Sequence, residues 1–171
     1  PFQLSLKSLG IDELQINKAI RRIEKARKGG EEIVIYGDYD ADGICATAIL
    51  WECLYSTTPN VKPYIPDRFS EGYGLNVESI QKLKTSHFAK SDLASRDKQN
   101  SNGLIITVDN GIVANDAVDV ANKLGIDVII TDHHQAGKKL PKAYSIIHTD
   151  KISGSGIAWI LAREINKKLQ I

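Results

Sequence analysis

The sequence predicts an α/β domain: a mainly parallel β-sheet flanked by helices. Short, continuous, β-branched runs (IVIY, LIITV, VIIT) recur along the chain without the polar alternation of a half-exposed strand. Between them lie segments with apolar residues at helical spacing, so strands and helices alternate.

Residues 12–28 (DELQINKAIRRIEKARK) read as a helix with Leu14, Ala19, Ile20 and Ile23 as its apolar stripe. Its end is basic before Gly29-Gly30, as a helix C-terminus prefers. EEIVIYG is a short buried strand, and residues 44–55 form a helix with Ile44, Ala48, Trp51 and Tyr55 on one face. VKPYIP is a second strand and DRFSEGYGLN a loop. Asn76 can cap a helix that runs through residue 83, with Glu78 early in it. Residues 84–103 are polar and suggest a surface loop or a variable helix. LIITVDNG is a strand ending in Asp109, and residues 113–124 a helix with Val113, Ala117, Val120 and Leu124 at helical spacing. IDVIITDHH is a strand ending in Asp132, YSIIH is a short strand, and GSGIAWILAREINKKL closes the chain as a helix opened by small residues.

The 171 residues suffice for one domain with a core, and 42% hydrophobic with 25% charged residues is a globular composition. The net charge of +1 gives no general attraction to nucleic acid or anionic membrane, so positive surface must be local, supplied by metal ions, or lie elsewhere. No apolar run approaches the roughly 20 residues of a membrane span, and no signal peptide is visible. Cys45 and Cys53 form no C-x-x-C pair and read as buried thiols of a reducing compartment, which points to the cytoplasm. A chain that begins with Pro1 and contains no Met is expected to be a fragment.

The chemistry gathers where strands end. GDYDADG sets Asp38, Asp40 and Asp42 at alternate positions, VDNG carries Asp109, and TDHH carries Asp132, His133 and His134. In an open parallel sheet these three strand ends share one edge, where ligands bind. An EF-hand loop counted from Asp38 would need a glutamate where Ile49 stands, so that reading fails. The bland alternatives are a helix-capping turn at Asp38–Asp42 and a plain Asp-Asn-Gly turn. Carboxylates with imidazoles suit Mn²⁺ or Mg²⁺. Successive residues of an extended segment point opposite ways, so His133 and His134 are not both expected on one ion. So many ligands at one cleft suggest two ions, about 3.5–4 Å apart, of the kind that clamp a phosphoryl displacement. Cations among the aspartates would relieve their repulsion and make the site electropositive. His87, Arg21-Arg22 and Lys138-Lys139 read as solvated surface, and His148 could approach the site.

In this order, GDYDADG, PDRFSEGYGL, ITVDNG, TDHH and SGSGIAW resemble the DHH phosphoesterase superfamily, most of all its RecJ-like branch of single-strand-specific exonucleases. The resemblance runs from about residue 30 to residue 165. Branches acting on oligoribonucleotides, cyclic dinucleotides and pyrophosphate usually carry a histidine ahead of Asp-x-Asp, where this chain has Tyr36.

The resemblance implies a Rossmann-like DHH domain. It implies Asp40 and Asp42 as metal ligands with Asp38 assisting or ligating, Asp109 bridging two Mn²⁺ (or Mg²⁺) ions, and His133 as a further ligand. His134 would contact the scissile phosphate, and Asp132 would orient an imidazole. Arg68 would contact a phosphate. Gly154 and Ser155 could hold a phosphate on backbone N–H groups, or only permit close packing. The family's fourth motif, an aspartate after the last helix, and its C-terminal DHHA1 domain are not in this sequence, so the chain is expected to be the catalytic part of a longer protein. The implied reaction is metal-dependent hydrolysis of single-stranded DNA from its 5′ end, in DNA repair and recombination. The alternatives are a DHH phosphoesterase of short oligonucleotides or small nucleotides, and a non-catalytic RecJ-related scaffold.

Overall fold

The structure is a computed structural model and describes residues 5–88 and 103–169. Five parallel strands form one sheet in the order β2-β1-β3-β4-β5, with β1 Ile33–Tyr36, β2 Val61–Tyr64, β3 Gly103–Val108, β4 Ile126–Asp132 and β5 Ser145–His148. β1 and β3 are buried at every position, because helices cover both faces. β2 lies at an edge, where Pro63 costs no ladder bond.

On one face, α1 Leu6–Leu9, α2 Glu13–Gly29, α3 Ala41–Tyr55 and α6 Gly154–Leu169 enclose a core that includes Ile16, Ile20, Ile33, Leu50, Leu104 and Ile160. On the other, α4 Val77–Ser86 and α5 Asn115–Lys123 pack over Val34, Ile80, Leu83, Ile105, Val118 and Ile130. The chain leaves β1 for one neighbour and reaches β3 on the other side, so the topological switch point lies between the carboxyl ends of β1 and β3.

Several sequence expectations change. α2 buries Ile16 and leaves Leu14 73% exposed. Arg22, read as solvated, is 2% exposed and bonds Glu31 and Asp127 at 2.6 Å each, which compensates its buried charge. α3 begins earlier than expected and buries Gly43, Ala46, Thr47, Leu50 and Leu54. The expected stripe faces outward instead: Ile44 is 47% and Tyr55 56% exposed, and only Trp51 packs partly against the core. α5 buries Ala117, Val118 and Ala121, while Val113 precedes the helix and is exposed. His87 is half-buried beside Glu32, with Nδ1 2.7 Å from Oε1. Cys45 is exposed and Cys53 half-buried, both free. Asn76 caps α4 as expected, with Ser79 closing a capping box, and the helix runs on to Ser86. Residues 89–102 of the expected polar segment lie outside the described residues.

Candidate metal centre

Three loops leave the carboxyl ends of β1, β3 and β4 and converge at the switch point. After β1 the chain turns sharply into α3. Asp38 is buried, and its Oδ1 accepts from the Tyr39 N–H at 2.7 Å. Asp40 is the N-cap of α3, its Oδ1 accepting from Gly43 N–H at 2.8 Å. The capping turn and the ligand cluster are therefore one structure. Gly43 is required because a Cβ there would lie 2.5 Å from Asp38 Cβ.

Asp42, on the first turn of α3, reaches across to α6. Its Oδ2 accepts from Gly154 N–H and its Oδ1 from Ser155 N–H, each at 2.8 Å. Burial opposes ionisation there, but the bonds from Ser155, Gly154 and Ser153 outweigh it and hold the carboxyl below its usual range. This corrects the expectation of a phosphate cradle at Gly154 and Ser155, since a carboxylate of the chain itself occupies both amides. Gly154 also permits a close approach: a Cβ there would lie 2.2 Å from Asp109 Oδ1.

Asp109 follows β3 in the left-handed region, φ 63°. Asp and Asn tolerate that conformation better than other residues with a Cβ. Its N–H donates to Thr131 O at 2.9 Å, which ties the turn to β4. The residue is 1% exposed, and among the described residues no hydrogen-bond donor satisfies Oδ1. His133 Nε2 lies 3.1 Å away but without hydrogen-bond alignment. Burial, then the charges of Asp42 and Asp40, push the Asp109 carboxyl up to about 7.

Asp132 ends β4 as a buried hub. Oδ1 accepts from His133 N–H at 2.7 Å and His134 N–H at 3.1 Å, and lies 2.8 Å from His134 Nδ1; Oδ2 accepts from Ile112 N–H at 2.9 Å. It thus orients His134 and ties the turn after β3 to the end of β4. Burial opposes protonation of His134, but Asp132, Asp109 and Asp38 together raise it.

The expectation that His133 and His134 diverge is corrected. Strand alternation stops at Asp132, and the two rings sit 4.5 Å apart between centroids. Among the described residues, two groups have ligand atoms within 4.8 Å of one another: Asp38 with Asp40 and Asp109, and Asp109 with His133 and His134. Asp109 belongs to both. Asp42 stands at their border, Oδ2 3.8 Å from His133 Nε2.

Oxygen and imidazole donors, converging on a buried carboxylate oxygen that lacks a donor, fit Mn²⁺ or Mg²⁺. Thiolates are absent from both groups.

Arg68 is exposed and stacks on Tyr39, its guanidinium carbon 5.1 Å from the ring centroid. Tyr39 meets Tyr73 edge-on, and Tyr73 in turn meets His134. Sequence reasoning passed over Tyr73 as a site residue; its Oη lies 3.5 Å from His134 Nε2. The only signal for it was its place in the SEGYGL segment. His148, which the sequence allows to approach the site, pairs with Asp132 across β4 and β5, and its Nε2 donates to His134 O at 2.7 Å. Tyr36 is fully buried beneath the same loop and bonds Gly74 O at 3.1 Å and Ser79 Oγ at 3.0 Å.

Residues 32–171 match the model of the DHH family, N-terminal domain. The chain is 39% identical over 159 residues to the single-stranded-DNA-specific exonuclease RecJ of Bacillus subtilis, a match covering 88% of the chain and 18% of that protein. It is 33% identical over 161 residues to the RecJ of Thermus thermophilus, covering 90% of the chain and 22% of that protein. The chain therefore spans about a fifth of the length of these relatives. The crystal structure of an exonuclease RecJ bound to manganese superposes with a TM-score of 0.80 at 30% identity, over 99% of this chain and 40% of that one. With the family model covering most of the sequence and the acidic strand ends in the expected fold, the chain belongs to the DHH family.

Proposed function

We propose that this chain is the catalytic domain of a metal-dependent phosphodiesterase of RecJ type, acting on single-stranded DNA from the 5′ end. The observation that carries the reading is Asp109: a buried carboxylate, unsatisfied at Oδ1 and common to both ligand groups. The relatives named as single-stranded-DNA-specific exonucleases support the substrate, and the manganese-bound neighbour supports the ion.

Asp38, Asp40 and Asp109 would hold one Mn²⁺ or Mg²⁺ ion, and Asp109 with His133 a second, with Asp42 bordering both. Bound ions supply charge neutralisation and an acidified water. The chain's own residues do the rest. Asp132 fixes the His134 ring and, with Asp109 and Asp38, favours its protonated form, in which Nδ1–H faces Asp132 and Nε2–H can donate to a phosphate oxygen as charge develops. His148 holds the His134 backbone from behind. Arg68, braced on Tyr39, offers a guanidinium to a neighbouring phosphate.

The resemblance assigns a DHHA1 domain to the remainder of the protein, and the two free cysteines support the cytoplasm as its place of work. No helix among the described residues is long and apolar enough to cross a membrane.

Mn²⁺ titration of the chain by calorimetry, beside Asp109→Ala, tests the centre. Digestion of 5′-labelled single-stranded against duplex DNA by the full-length protein tests the activity. Binding lost in the variant, with metal-dependent digestion of the single strand, is the expected outcome. A folded wild-type chain and full-length protein that both fail to bind Mn²⁺ would overturn the reading.

A further inference from the structure

The stripe Ile44, Ala48, Trp51 and Tyr55 stays largely outside the core, and none of its members belongs to the metal centre. These residues recur at successive turns of α3 and line one side of it. Ile44 is 47% and Tyr55 56% exposed, Ala48 is exposed and Trp51 half-buried. The Trp51 and Tyr55 rings touch, with centroids 4.7 Å apart. Single exposed apolar residues need no partner, but a continuous row ending in two aromatic rings marks an interaction face.

The other sides of α3 are occupied. Ala46, Leu50 and Leu54 are buried toward the sheet. Asp42 and Cys53 face α6: Asp42 takes the Gly154 and Ser155 amides, and the Cys53 thiol donates to Asn166 Oδ1 at 3.3 Å. By helical geometry the stripe lies roughly opposite Asp42 and Cys53, on the side of the edge strand β2. β2 itself exposes Lys62 and Pro63, residues that blunt an edge against an added strand. This flank therefore suits packing of side chains on α3 and not extension of the sheet.

We propose that the flank is the docking face for the part of the full-length protein outside this sequence, which lays an apolar helix or loop face over Trp51 and Tyr55. The chain spans 18% of the Bacillus subtilis relative and 40% of the manganese-bound neighbour, so proteins that share this fold carry more chain than the fold itself. α3 and α6 run side by side to a common end, as the contact of Cys53 with Asn166 records. In a longer protein, the chain that follows α6 thus sets out beside Tyr55. Four partly covered side chains fall well short of the roughly 800 Å² per partner that a stable dimer buries. A tethered segment needs less, because its effective concentration is on the order of millimolar. Asp40 and Asp42 sit at the head of the same helix, so a body docked on this flank is joined directly to the centre.

The inference needs neither metal nor substrate, so it stands or falls apart from the phosphodiesterase reading. Hydroxyl-radical footprinting of the full-length protein, with the same protein unfolded in urea as reference, provides the test. Ile44 and Tyr55 should oxidise as slowly as the fully buried Ile33 and Tyr36. Ala48→Arg puts a bulky charge in the middle of the stripe, removes no packed side chain and keeps a good helix former. In that variant Ile44 and Tyr55 should lose their protection while Ile33 and Tyr36 keep theirs. A wild-type Tyr55 that oxidises in proportion to its 56% exposure overturns the proposal, as does protection unchanged in the variant. Protection that disappears when the protein is diluted to monomers gives the face to a second copy and overturns it equally.

Discussion

Asp109→Asn should stabilise the metal-free chain at alkaline pH and abolish its response to metal. In the folded state the carboxyl is pushed up to about 7, first by burial and then by Asp42 and Asp40. Its ordinary value is 3.8. The native state thus holds a proton that the unfolded chain has released. The associated stability is complete below the unfolded value and is lost as pH rises through about 7. At pH 8 both states are ionised, and the native state carries the full electrostatic load. A rise of about three pKa units corresponds to about 4 kcal/mol. The centre opens to solvent beside exposed Asp40, and screening there reduces this to about 2 kcal/mol. Asparagine is nearly isosteric, cannot ionise, and accepts the left-handed backbone. In chelator at pH 8 the variant should melt about 4–8 °C above wild type, at about 2–4 °C per kcal/mol for a chain of this size. At pH 5 the gap should narrow to less than half, and it should close only below the unfolded value of 3.8. With Mn²⁺ at about a hundred times its Kd the order should reverse, because wild type gains about 2.7 kcal/mol and the variant nothing. Circular-dichroism melts at the two pH values, with EDTA and with Mn²⁺, make the comparison. A variant that melts below wild type in chelator at pH 8 would refute the reasoning, since Asp109 would then be stabilising the fold through contacts and not loading it with charge.

Other perturbations separate packing from chemistry. Gly154→Ala puts a methyl into contact with Asp109, and should cost about 1–3 kcal/mol and most of the Mn²⁺ affinity, read by melts and calorimetry together. Asp132→Asn leaves volume unchanged but weakens the grip on His134. Mn²⁺ affinity or turnover should fall about 10–100-fold, and the His134 ring should titrate closer to its ordinary value by NMR. Arg22→Ala strands Glu31 and Asp127 and should cost about 3–5 kcal/mol in urea unfolding; Arg22→Met strands them equally and should recover only the packing part of that loss.

The sheet was legible because β1, β3 and β4 are covered on both faces, which demands unbroken apolar runs. The convergence of Asp38, Asp109 and Asp132 followed from parallel topology alone. Helix faces were less legible. Ile44, Ala48 and Tyr55 have the spacing of a core stripe, yet α3 turns Gly43, Ala46, Thr47, Leu50 and Leu54 inward, an alternative stripe that the same spacing allows. Arg22 misled because a charge is buried readily once two carboxylates meet it, and both lie far away in sequence or across a turn. The partnership of His133 and His134 depended on where β4 stops. The capture of Asp42 by α6 was hidden for a similar reason, since no local pattern records which amides a distant carboxylate will find.

That capture has a mechanical consequence. The head of α6 is clasped by Asp42 and pressed against Asp109 with no space for a methyl group between them. The body of the same helix is anchored through Ile157, Leu161 and Ile165, all fully buried. The centre and the helix therefore behave as one stiff part without slack. A repacking of Leu161 or Ile165 that slides α6 by a few tenths of an ångström moves two acidic groups with it. The tuning of this centre thus extends along α6 to Leu161 and Ile165, two to three turns beyond the amides that hold Asp42.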